Sequence, residues 1–194
     1  MNRALGQRTR ALRFSTLALG LAVASGLPLT GAAFARSLGS LAPPNYGGCT
    51  SCEVFQGSTA LGQPSYVVPH GNWTITSWRA QGGGTAAGHA KLRIYRPTNV
   101  AGQFKLLAES ALMTIPKNGH PSFTVSIAVR GGDLLGIQTV DNLPSAYSSG
   151  VSGDNSSTVP CGPTVGQRVG AETSCALGVI TTELANVKVT LFKH

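Results

Sequence analysis

Along three stretches of the chain, apolar and polar residues alternate. Phe123, Val125, Ile127 and Val129 alternate with Thr124, Ser126 and Ala128; Val187, Val189 and Leu191 alternate with Lys188, Thr190 and Phe192; Leu92 and Ile94 alternate with Lys91, Arg93 and Tyr95. Successive side chains of a strand point to opposite faces, so a period of two predicts strands with one face in a core and one in water. These runs predict strands over 89–96, 122–129 and 186–192. Short apolar runs bounded by Gly, Pro and Asn predict others over 53–56, 65–69, 72–80, 103–108, 110–115, 133–140 and 176–182. No stretch keeps a 3.6-residue period for the length of a helix, and 25 glycines with 11 prolines suit a turn-rich β protein. The expected fold is all-β: a two-sheet antiparallel β-sandwich of jelly-roll or Greek-key type.

The run HGNWTITSWRAQGGG, residues 70–84, carries both tryptophans, Trp73 and Trp78. An odd separation puts two residues of a regular strand on opposite faces. One tryptophan is then outward, near the polar face formed by Lys91, Arg93 and Tyr95, where a cationic, aromatic surface would suit sugar rings or an anionic wall polymer. The competing reading is a bulge at Ser77 that turns both tryptophans into the core.

The first 35 residues read as a secretory signal peptide. Arg3, Arg8, Arg10 and Arg13 form a positive start, 17–27 is an apolar run, and Ala33-Phe34-Ala35 is a cleavage pattern that places the mature start near Arg36. The apolar run is shorter than the roughly 20 residues of a membrane span, and Pro28 interrupts it. Residues 36–48 read as a leader or linker, and 49–194 as one sandwich domain with no further membrane span. The expectation is a secreted, extracellular protein. Four of the fifteen basic residues and none of the seven acids lie in the signal, so the mature chain carries a net charge of about +4. That charge is spread out and lacks interleaved aromatics, which argues against a nucleic-acid partner.

Four cysteines in an oxidising compartment allow three pairings. Cys161 with Cys175 is favoured because the segment between them reads as a loop, which leaves Cys49 with Cys52. The C-x-x-C spacing of the second pair lacks the strand before it and the helix after it that thiol redox chemistry needs. Catalytic signatures of the G-x-S-x-G, H-E-x-x-H and S-x-x-K types are missing. Glu109 and Asp133 remain as a conceivable glycosidase pair, which makes a hydrolase one alternative function. His70, His89 and His120 each adjoin a glycine, but no pair has ligand spacing, so no metal and no cofactor are expected. The longest irregular segment is 141–175, expected to be mobile around Tyr147 and pinned by the disulfide in its second half.

The strings YVVPHGNWTITSWRAQGG (66–83), KLRIYRPT (91–98), GQFKLLAES (102–110) and GGDLLGI (131–137) resemble a family of uncharacterised secreted proteins from high-GC soil bacteria. The resemblance implies secretion and a sandwich fold, and it leans toward Trp78 as the buried tryptophan, leaving Trp73 as the candidate platform beside Tyr95, Arg93 and Lys91. It implies no activity. The functional expectation is a secreted, non-enzymatic module that binds or coats an envelope polysaccharide. A structural subunit of an extracellular assembly is the third alternative.

Overall fold

The β-branched and aromatic runs form strands, and no helix occurs among the described residues. The computed structural model describes residues 34–41, 51–83, 86–141, 147–181 and 183–194. Most of the expected signal peptide and Cys49 lie outside them. The strands are β1 (Ala35–Ser40), β2 (Glu53–Ser58), β3 (Asn72–Arg79), β4 (Gly88–Pro97), β5 (Gln103–Glu109), β6 (Met113–Ile115) and β7 (Ser122–Arg130). They continue as β8 (Leu134–Thr139), β9 (Tyr147–Ser149), β10 (Asn155–Thr158), β11 (Arg168–Gly170), β12 (Gly178–Thr181), β13 (Glu183–Ala185) and β14 (Val187–Lys193).

Two antiparallel sheets make a β-sandwich. The small sheet runs β1-β14-β3-β7; the large one runs β11-β5-β4-β8-β2-β10-β12, with β6 also paired to β4; β13 and β9 form a separate pair. The main core lies between the sheets, with Trp73, Ile75, Trp78, Val189 and Leu191 facing Val54, Leu92, Ile94, Leu135 and Ile137. The large sheet also buries its other face. Phe55, Tyr95, Leu106, Leu134, Val159, Val169 and Cys175 form a second apolar cluster there. Alternation divides each strand between the two cores: Val54 goes to one and Phe55 to the other, Ile94 and Tyr95 likewise.

Four expectations change. The polar face of β4 is not wet: Arg93 and Tyr95 are buried, and the chain around 159–177 covers them. Residues 36–40, expected in a leader, form β1 and pair with β14 from Arg36↔Leu191 to Ser40↔Val187. The segment 65–69 is not a strand and makes only a bridge at Val67. The segment 141–175 is not an irregular loop, since it holds β9, β10 and β11. Its second half is closed as expected, by the disulfide between Cys161 and Cys175, with Cα atoms 5.6 Å apart. Cys52 is also disulfide-bonded, while its expected partner Cys49 is outside the described residues. No helix among the described residues is long and apolar enough to cross a membrane.

A bulge sets the tryptophans. Between matched inward positions, β14 uses two steps (Val189 to Leu191), β3 three (Trp78 to Ile75) and β7 four (Phe123 to Ile127). The small sheet fans open toward β7, and the extra residue near Thr76 reverses the facing of β3. Trp73 and Ile75 before it, and Trp78 and Ala80 after it, are all buried.

Candidate functional site

The expected platform does not exist as a surface. Trp73 is only 5% exposed and donates its indole N–H to Pro69 O at 3.0 Å and to His70 O at 3.3 Å. It stands in the small sheet, whereas Lys91, Arg93 and Tyr95 stand on β4 in the large one. The platform needed the strands over 72–80 and 89–96 side by side; here the chain crosses between sheets after β3. The cation near Trp73 is Lys193, 6.0 Å from the ring centroid.

Tyr95, Arg93 and Lys91 instead belong to a polar network under the second core. Tyr95 stacks on Phe55 with ring centroids 4.5 Å apart, and its hydroxyl donates to Glu53. Arg93 lies 3.7 Å from Glu53 and 3.0 Å from Glu109, and it donates to Pro163 O at 2.9 Å and to Gln138. Lys91 closes the chain at 2.7 Å from Glu109. Two cations thus face two carboxylates, the condition under which charges survive burial. Burial pushes the Glu53 carboxyl above its ordinary value, against the opposing pull of the Tyr95 hydrogen bond and of Arg93. Burial likewise pushes the Tyr95 hydroxyl up, helped by the neighbouring Glu53 charge.

The proposed pair of Glu109 and Asp133 is not brought together through shared partners. Asp133 is buried in a bidentate contact with Arg96 at 2.6 and 2.8 Å, and its carboxylate caps Arg130 N at 2.9 Å. Of the histidines, His89 pairs with Asp141 at 2.7 Å and His120 offers its carbonyl to Arg79. Hydrogen bonding from His89 holds the Asp141 carboxyl below its usual range. No cluster of three metal-ligating side chains occurs among the described residues.

A concave site lies elsewhere. The large sheet curls around the second cluster as a half-barrel, and residues 171–177 run from its edge strand β11 to its other edge strand β12. A groove of about 590 Å³ opens there. It exists because side chains are small where the second cluster ends. Gly57 and Ser58 of β2 and Asn155 and Ser157 of β10 form one wall, Gly102 and Gly170 the other, and Phe104, Leu177 and Val179 supply apolar surface. Ser157 pairs with Phe55 on one side and Val179 on the other, so it shares the face of the trough. Phe104 is half-buried and leans on Phe55 at 4.7 Å.

The strap over the groove is held firmly. Ala171 N donates to Gly102 O at 3.0 Å, Gln103 Nε2 to Ala171 O at 3.1 Å, and Gly170 N to Cys175 O at 2.7 Å. Thr173 Oγ1 donates to Gly170 O at 2.8 Å. Only glycine fits at 170, where φ is +101° and a Cβ would stand 2.1 Å from Gly102 O. Glu172 adopts φ 60°, a left-handed conformation uncommon for such a residue. Glu172 is the one charged residue among the described residues of the lining.

Sequence reasoning passed over this site. Most of its residues are small, Gly, Ser, Ala, Thr and Asn, and Asn155, Ser157 and Gly170 to Thr173 fall in the segment expected to be irregular. Only the disulfide pointed to the strap. The chain matches no family model, no curated protein and no solved structure. The site must therefore be read from its geometry.

Proposed function

We propose that this protein is an exported, non-catalytic binding module that takes a saccharide segment of the cell envelope in the groove at the mouth of its half-barrel. The observation that carries the reading is the lining: an aromatic face at Phe104 flanked by the hydroxyls of Ser58 and Ser157 and the amide of Asn155, with one carboxylate at the rim. A sugar ring offers an apolar C–H face and a girdle of hydroxyls, and a mostly apolar cleft with a few convergent polar groups matches both. Export is supported by the signal-like start and by a disulfide, which suits an oxidising compartment. The hydrolase alternative has less support, because Glu53 and Glu109 are both committed to Arg93 and Asp133 to Arg96.

Ala176 is exposed on the strap and lines the groove, so Ala176→Trp fills the cleft without touching either core. Retention of the protein on insoluble envelope polysaccharide is expected to be lost in this variant, at an unchanged thermal midpoint. Equal retention of both proteins, or none of either, overturns the reading.

A further inference from the structure

We infer that β7 is a docking edge at which a second copy of this chain pairs, strand against strand, about a twofold axis through Ser126. The inference goes beyond the groove and is independent of it. β7 is nine residues long and hydrogen-bonded to β3 alone. The other outer strands of the two sheets, β1, β6, β11 and β12, have six, three, three and four residues. Among the described residues, no backbone partner beyond β3 is found for residues 123–129.

Edges of this length ordinarily carry a Lys, a Pro, an inward charge or a twisting bulge that blocks pairing. From Ser122 to Val129 there is no charge, no Pro and no Gly, and the run is rich in β-branched residues. The register against β3 shifts at the middle of β7, where Val125 and Ser126 stand opposite Thr76 alone, yet exposure alternates residue by residue from Ser122 to Val129, so the free edge keeps the order of a regular strand. Its inward row is also unfinished. Phe123, Val125 and Ile127 pack against the core yet remain only half-buried, as do Leu107 and Met113 on the large sheet, while Leu112 is 47% exposed.

The match of the strand with its own reverse favours a second copy as the occupant. In an antiparallel pair centred on Ser126, Phe123 stands opposite Val129, Val125 opposite Ile127, Thr124 opposite Ala128 and Ser122 opposite Arg130. Apolar residues meet apolar ones on the inner face, and small ones meet small ones outside. The only charges, the two Arg130 side chains, stand about eight residues apart, roughly 27 Å, well beyond the Debye length of about 8 Å. For a chain of net positive charge this is a contact without repulsion, and the same patch serves both copies, as a closed dimer requires.

Light scattering of the purified protein over a concentration series should show the mass doubling. Ser126 is exposed, so Ser126→Lys, which sets two ammonium groups together at the axis, should leave the thermal midpoint in place and hold the protein as a monomer. Ser126→Cys should form an intermolecular disulfide under mild oxidant, since directly opposed Cα atoms of an antiparallel pair are about 4.5–5.5 Å apart, within disulfide reach. Thr124→Cys should crosslink only when mixed with Ala128→Cys. A monomer at every concentration, a dimer that survives Ser126→Lys, or crosslinking of Thr124→Cys with itself overturns the inference.

Discussion

Trp78 fills the main core with its ring 5.0 Å from that of Phe123, and its indole N–H has no acceptor among the described residues, whereas the N–H of Trp73 has two. Both alanine variants should therefore lose stability heavily, about 3–5 kcal/mol for each emptied site. The phenylalanine variants should separate. Trp73→Phe strands two carbonyls, while Trp78→Phe removes a donor without an acceptor among the described residues, so the first should cost about 1 kcal/mol more in urea denaturation. Equal costs would mean that the two indoles share one environment. Glu53 gives a second residue-level test. Burial raises its folded-state pKa above the ordinary 4.5, so above that pH the folded protein holds a proton that the unfolded chain has released. Stability contributed by this group is present at low pH and is lost as pH rises through the folded-state value. Glu53→Gln keeps an acceptor for Tyr95 and removes the titration. Its stability relative to the parent protein should therefore improve as pH rises from 4.5, and a pH-independent difference would contradict the assignment.

At the level of elements, legibility followed chemistry. Strands with β-branched alternation, β7 and β14, were readable because their own residues prefer that state and show one wet face. β10, with the sequence NSST, was not readable; it is a strand because β2 and β12 pair with it on both sides. β1 has a glycine where the pattern should continue, and only its pairing with β14 reveals it. The alternation of β4 was read correctly, but its polar residues were assigned to water when they form a buried ion network. Sequence carries no sign of what covers a face. The Cys161–Cys175 crosslink was legible from the loop-like segment between the two cysteines, and it pins the covering segment. Replacing both cysteines by serine should cost about 3 kcal/mol for a closed loop of this size, measured by urea denaturation. The same double variant should weaken binding in the groove more than Ala176→Gly does, because the strap loses its anchor while its lining stays intact. A double variant with native stability would show that the crosslink constrains little.

For the whole molecule, the sandwich was legible and the site was not, because a half-barrel mouth is made by curvature and by absent side chains. Gly57, Gly102 and Gly170 contribute to the groove by having nothing to project, and a one-dimensional reading sees them as turns. The aromatic platform was sought at Trp73 for the opposite reason: a large side chain draws attention wherever it stands. The account stands on the groove being the place where ligand is met. Backbone amide chemical shifts, followed by NMR while solubilised envelope oligosaccharide is titrated in, test this most directly. Saturable changes are expected that are confined to the groove lining: Gly57, Ser58, Gly102, Phe104, Asn155, Ser157, Gly170 to Thr173, Ala176, Leu177 and Val179. Changes centred on Trp73 and Lys193, or none at all, would contradict it.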